Sequence, residues 1–198
     1  MIIITATKIE ADPVVRALGL SRTGGGPFQL YSGGAHTLAV SGIGKANCAM
    51  CVSWLSLTRE VTGIINIGAA GAVREGIAVG DIFQVEKVYE PDRPMLTSPE
   101  TRCYELPAVD ISPGAVLSTM DRPVLTDDER AQAGRFAHIV DMEGAGFVQA
   151  CRRFGVSPFL FKYVTDTPGS SKGDIISNIR ALSADISDFV LSLKNIFP

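Results

Sequence analysis

The chain has 198 residues, 46% hydrophobic, 20% charged and 7% aromatic, a length that can bury about 70% of its unfolded surface around one core. Its 18 Lys and Arg against 21 Asp and Glu leave a net charge of −3 with no block of like charge, which excludes a basic footprint for nucleic acid or anionic lipid. The apolar run Ile2 to Ala6 is too short for a signal segment, and no stretch approaches the ~20 apolar residues of a membrane span, so a cytoplasmic protein without nucleic-acid or membrane partners is expected.

In chain order, short apolar segments ending in small or polar residues alternate with helix-like stretches, the pattern of an α/β domain on a mixed, largely parallel central sheet. Ile2 to Thr7 reads as a buried strand and Ala11 to Leu18 as a helix, with Pro13 suited to its first turn. Ser21 to Gly34 holds five of the 20 glycines and reads as a hairpin or loop. Thr37 to Val40 is the next strand, Ser41-Gly-Ile-Gly44 its turn and Lys45 to Leu57 a helix. Ile64 to Ile67 is a third strand closing on a turn at Gly68-Ala-Ala-Gly71, and Asp81 to Val88 a longer one. Pro91, Pro94, Pro99, Pro107 and Pro113 make Tyr89 to Pro113 a long loop.

Ala115 to Thr119 is a short strand, Asp127 to Phe136 a polar helix, and His138 to Val140 leads into a helix from Met142 to Phe154. Ser157 to Val164 is the last core strand. Ile175, Ile179, Leu182, Ile186, Phe189, Val190 and Leu193 then recur at three- and four-residue steps, an amphipathic C-terminal helix capped by Asp174. Neither a repeat nor a boundary interrupts this pattern, so one domain over residues 1–198 is expected.

Cys48 and Cys51 form a C-x-x-C inside the second helix, where their spacing puts them on one face; with no second pair, a buried face is the better reading than zinc. His36 and His138 stand far apart and read as surface or strand residues. No metal or cofactor is expected.

In an open α/β sheet, ligands bind beyond the carboxyl ends of the strands. Three such ends deliver acids: Glu10 after the first strand, Glu143 after Ile139-Val140, and Asp166 after Phe159 to Val164. Two others deliver the glycine-rich turns at Ser41 and at Gly68, which let a ligand approach the backbone closely. Carboxylates beside bare backbone suit a neutral polyhydroxyl ligand. Each acid also has a bland reading, as turn residue, N-cap or helix-entry charge, and position alone does not choose.

Val40-Ser-Gly-Ile-Gly-Lys45, Ile65-Asn-Ile-Gly-Ala-Ala-Gly71 with Val79-Gly-Asp-Ile82, Val140-Asp-Met-Glu-Gly-Ala145 and Val164-Thr-Asp166 occur in one order across the chain. This ordered set resembles the nucleoside phosphorylase/nucleosidase superfamily, most closely its methylthioadenosine/S-adenosylhomocysteine nucleosidases and futalosine hydrolase-like members. The resemblance implies a three-layer sandwich, and hydrolysis of the N-glycosidic bond of a 5′-modified purine nucleoside by a homodimer or larger homo-oligomer. It implies that Glu143 and Met142 hold the ribose, with Lys162 beside them where the family has Arg. Asp166 would then be the general acid at purine N7, oriented by Thr165, and Glu10 would orient the attacking water, with Ala69, Gly71 and Ser41 in supporting positions. Burial would raise the Asp166 pKa, while a more solvated Glu10 stays ionised.

A phosphate co-substrate needs fixed cationic or N–H donors. Where the phosphorylase branch has Arg and Ser around the glycine turn, this chain has Asn66 and Ala69, which favours water. Phosphorolysis and a nucleoside-binding protein without turnover are the alternatives. The family's base-stacking Phe is replaced around Pro123-Val124.

Overall fold

The computed structural model describes residues 1–24, 26–98 and 100–197. Strand β1 (Ile2–Thr5) feeds helix α1 (Lys8–Leu18), whose N-terminus is closed by a capping box between Thr7 and Glu10. Pro13 lies in the second turn rather than the first, because the capping box starts the helix at Lys8, three residues earlier than the apolar pattern shows. Strands β2 (Ser21–Thr23), β3 (Gln29–Gly33) and β4 (His36–Val40) form an antiparallel meander, followed by helix α2 (Lys45–Thr58).

Strand β5 (Gly63–Ala72) runs straight through Gly68 to Gly71, correcting the expected turn there. Its small residues pair with the C-terminal half of β10 (Ser157–Asp166), Gly68 opposite Lys162 and Gly71 opposite Asp166. Between them come β6 (Ile82–Glu90), β7 (Arg102–Glu105), β8 (Gly114–Thr119), α3 (Asp127–Gly134), β9 (Ile139–Asp141) and α4 (Gly144–Phe154). The long loop after Tyr89 is thus interrupted by β7, which pairs antiparallel with β6 and gives Cys103 and Tyr104 strand neighbours that no local period reveals. The single C-terminal helix is two, α5 (Lys172–Ala181) and α6 (Ser183–Leu193), broken at Leu182; Ser171 is the N-cap and Asp174 its capping-box partner.

The described strands make one mixed sheet in the order β10-β6-β8-β9-β5-β1-β4-β3-β2, with β7 attached to β6. Because β10 also pairs with β5, the strands β5, β10, β6, β8 and β9 close into a ring, and the others extend from it. Parallel pairings link β1 to β4 and β5, β5 to β10, and β8 to β6 and β9.

Two apolar cores sandwich the sheet. Cys48, Cys51, Val52 and Leu55 of α2 join Phe147, Val148 and Cys151 of α4 on one face; Val14, Leu18, Ile179, Ile186, Val190 and Leu193 of α1, α5 and α6 cover the other. β5 and β10, covered on both faces, are nearly continuous apolar runs for that reason. The Cys48–Cys51 pair is core, and burial pushes the Cys51 thiol up to about 12. No helix among the described residues is long and apolar enough to cross a membrane.

Candidate active site

A cleft of about 200 Å³ opens where β1, β5, β9 and β10 end. Glu10, Glu143 and Asp166 all line it, and each is only 5–6% exposed. Met142, Thr165, Ala69 and Gly71 line it too. A larger space of about 680 Å³ lies at the other end of the sheet, among Met1, Arg59, Glu60, Ser157 and Phe159. It contains none of the three acids, which all lie in the smaller cleft.

Glu10 is fixed by the capping box. Its Oε2 accepts from the Thr7 backbone N–H and hydroxyl at 2.7 Å each, and its Oε1 accepts from the Ala69 N–H at 2.9 Å. The same residue is therefore both the third-position partner in the α1 capping box and a cleft acid. The expectation of a more solvated Glu10 does not hold: at 5% exposure it is as buried as Asp166, because α1 presses it against β5.

Glu143 opens α4, and its Oε1 accepts a 2.9 Å hydrogen bond from the Gly44 N–H. The loop before α2 delivers that donor through two left-handed glycines, Gly42 (φ 90°) and Gly44 (φ 102°), a backbone path that side-chain-bearing residues rarely take. Burial raises the Glu143 pKa to about 7, against the lowering pull of Lys162.

Asp166 sits just past a bulge in the β5–β10 pairing, where the register shifts between Val164 and Asp166. A bulge re-aims side chains, and here the adjacent residues Thr165 and Asp166 line the same cleft although strand alternation would separate them. The Thr165 hydroxyl donates to Asp166 Oδ1 at 3.0 Å. Asp166 is not alone in an apolar setting, contrary to expectation: Arg130 of α3 reaches in, donating from Nη2 to Asp166 Oδ2 and from Nη1 to the Ala72 carbonyl, both at 2.6 Å.

Two expected site residues fall outside the lining. Lys162 lies beneath the cleft, 1% exposed, with its ammonium 2.8 Å from Asp141 Oδ2. Burial lowers its pKa, but Asp141, Glu143 and Glu10 outweigh that and raise it, which leaves the ammonium as a counter-charge under the acids. Ser41 turns away, donating to the carbonyls of Thr5 and Gly42. Neither histidine lines the cleft: His36 meets the N-terminal amine, and His138 Nδ1 accepts from the Val116 N–H.

Arg130 and Asp141 escaped sequence reasoning. Asp141 accepts from the Thr119 hydroxyl and the Gly144 N–H besides Lys162, anchoring the β9–α4 junction from which Met142 and Glu143 project. Its position two residues before Glu143 was a visible signal. Arg130 lies in a stretch that reads as a polar surface helix, and nothing local marks it as buried.

A mixed sheet with a ring of five strands, and three buried acids gathered at one end of it, is an arrangement for binding and cleaving a small polar molecule. The family model described as the phosphorylase superfamily matches residues 1–101 of the 198, and the chain belongs to that superfamily. The chain is 29% identical to the 5′-methylthioadenosine/S-adenosylhomocysteine nucleosidase of Baumannia cicadellinicola subsp. Homalodisca coagulata, over 83% of this chain and 86% of the relative. It is 26% identical to the Bacillus subtilis (strain 168) nucleosidase of the same name, over 70% and 71%. Among solved structures, Helicobacter pylori futalosine hydrolase superposes with a TM-score of 0.87 at 16% identity, covering 99% of this chain and 97% of that one. A Helicobacter pylori methylthioadenosine nucleosidase mutant with 5′-methylthioadenosine in its active site gives 0.86 at 17%, over 99% and 98%. At those identities the structures speak for the fold.

Proposed function

We propose that this chain is a purine nucleosidase that hydrolyses the N-glycosidic bond of a 5′-modified purine nucleoside. The observation that carries the reading is the convergence of Glu10, Glu143 and Asp166 on one cleft. The names of the sequence relatives support it.

Cleaving an N-glycosidic bond builds positive charge on the ribosyl ring while the base leaves with the bonding electrons, so a proton delivered to the base lowers the barrier. In the proposed arrangement Asp166 delivers that proton to N7. Having done so it is a carboxylate, and Arg130 at 2.6 Å together with the Thr165 hydroxyl stabilises the charge it has acquired. Glu143 accepts from the ribose hydroxyls, with Met142 against the sugar. Glu10 Oε1 has one N–H donor and keeps a lone pair to hold the attacking water. Lys162, paired with Asp141, lies below the cleft and offsets the negative charge of Asp141, Glu143 and Glu10.

Water rather than phosphate fits the positions where the phosphorylase branch has its donors, and Arg122, the guanidinium among the cleft-lining residues, is paired with Glu129. The Asn66 amide is buried and donates to the Ile4 carbonyl, and Ala69 has no polar side chain. At about 200 Å³ the cleft is below the usual size for a drug-sized ligand, so a large 5′ substituent would extend beyond it. A second copy of the chain completing that end, as a homo-oligomer, belongs to the same proposal.

The test is chromatographic identification of products from methylthioadenosine, S-adenosylhomocysteine, futalosine, adenosine and inosine, with and without phosphate. Free base and free sugar at a phosphate-independent rate, with that release abolished in Asp166→Asn, are expected. Ribose 1-phosphate products would move the chain to the phosphorylases, and nucleoside binding without turnover would make it a binding protein.

A further inference from the structure

We propose that Lys45 is a positioning residue whose ammonium fixes the wall of the cleft formed by Arg122 to Leu125 relative to Glu143, an inference that rests on the nucleosidase reading above. Arg122, Pro123, Val124 and Leu125 all line the cleft and lie in the connection between β8 and α3. That connection leads directly into α3, whose Arg130 binds Asp166, so it walls the Asp166 end. A segment outside strand and helix has no ladder of its own, and its place is set by what its backbone groups bind. At the α3 end the tie is local: the Leu125 N–H donates to Glu129 Oε2 at 3.0 Å. At the β8 end it is remote. The Asp121 N–H donates to Asp92 Oδ2 at 2.6 Å, and Asp92 Oδ1 accepts from Lys45 Nζ at 2.7 Å.

Lys45 is built in at both ends. Its side chain is 12% exposed, and Nζ also lies 3.1 Å from Glu90 Oε1, a buried carboxylate whose other oxygen accepts from Tyr104 and Gln149. A third carboxylate, Asp121 Oδ2, stands at 3.2 Å, but that side chain is mostly exposed and the contact contributes little. The Asp121 backbone bond to Asp92 is therefore the stronger tie. At its other end Lys45 follows Gly44, whose N–H holds Glu143. Its carbonyl lies so close to α4 that a methyl group on Gly146 would collide with it. The backbone of Lys45 thus belongs to the Glu143 side of the cleft and its ammonium to the wall, and the side chain spans the two as a strut.

In the proposed arrangement the purine lies at the Asp166 end and the sugar against Glu143. A wall that drifts from Glu143 weakens the hold on the base in the ground state and the transition state alike. Such a loss raises KM and leaves kcat nearly unchanged, unlike the loss of a group that acts on the reacting atoms.

The experiment compares the unmodified protein with Lys45→Met, Lys45→Arg, Asp92→Ala and the Lys45→Met/Asp92→Ala double variant, by steady-state kinetics on methylthioadenosine, or on futalosine should that be the nucleoside cleaved. In Lys45→Met and Asp92→Ala, KM should rise by about tenfold or more with kcat changed by less than about threefold. The double variant should match the worse single one, and Lys45→Arg should restore part of the loss. An unmoved KM, or a fall in kcat at constant KM, overturns the proposal. Asp92→Ala leaves Lys45 paired with Glu90 and carries the test where Lys45→Met fails to fold. Hydrogen exchange needs no substrate: the segment Met120 to Leu125 should exchange at least about tenfold faster in either variant, while α1 and α6, on the opposite face of the sheet, keep their rates. Unchanged exchange in that segment, or acceleration spread equally to α1 and α6, overturns the proposal. Absence of turnover with every nucleoside tested would sink the hydrolase reading instead, and the exchange measurement would still decide the role of Lys45.

Discussion

Gly44 and Glu143 are 99 positions apart and joined by a single 2.9 Å hydrogen bond from backbone N–H to carboxylate. That bond ties the entrance of α2 to the entrance of α4, and it is the hydrogen bond that the Glu143 carboxylate receives from the described residues. Burial outweighs it and holds the carboxyl near pH 7.

The raised Glu143 pKa sets two pH dependences. A carboxyl whose pKa rises from 4.5 unfolded to about 7 folded favours the folded state at low pH and loses that contribution as pH climbs through 7. Denaturant midpoints of Glu143→Gln and the unmodified protein, measured from pH 4.5 to 8, should diverge in favour of the variant as pH rises. A constant gap would contradict the linkage. If the ionised form binds ribose, kcat/KM should rise through an acid limb near pH 7.

Lys162 is predicted to act on stability through Asp141. Lys162→Met leaves a fully buried carboxylate without its cation, a change that costs about 3–5 kcal/mol in comparable pairs. Adding Asp141→Asn to Lys162→Met should recover part of the loss in urea unfolding. Two losses that simply add would show that the pair is not coupled.

Thr165 is predicted to position Asp166. Thr165→Val removes the 3.0 Å hydrogen bond to Oδ1 while keeping shape. A hydrogen bond to a charged group contributes about 1.5–3 kcal/mol, so kcat should fall roughly tenfold or more with KM changed by less than about threefold. Thr165→Ser should restore it; a rise in KM at constant kcat would assign the hydroxyl to binding instead.

Gly71→Ala tests the close approach of β5 to the acid. The added methyl would meet Asp166 Oδ2 at 2.6 Å, so base release should collapse while overpacking lowers stability by only about 1–3 kcal/mol. Near-normal turnover in a folded variant would show that the Asp166 side chain can move aside freely.

Thiol titration gives an independent check on the core. Cys103 is exposed and should react with an aromatic disulfide reagent in the native protein, whereas Cys48, Cys51 and Cys151 are buried and should react only on unfolding. Burial pushes the thiols of Cys51 and Cys151 up to about 12, so little thiolate is present at neutral pH.

The alternation of strands and helices, the core face of α2 and the delivery of Glu10, Glu143 and Asp166 at strand ends are all legible in the residue order. Those features are periodic or local, set by side chains within a few positions of one another. Other features needed the folded chain: Gly68 to Gly71 stay in a strand, five strands close into a ring, Thr165 and Asp166 line one cleft, Lys162 lies under the acids, and Arg130 turns inward to Asp166. Each depends on a pairing across many positions, such as the 36 that separate Arg130 from Asp166, and hydrophobic periodicity is blind to which distant strand or helix supplies the partner. A guanidinium on a polar helix looks solvated until the fold brings a buried carboxylate within its reach.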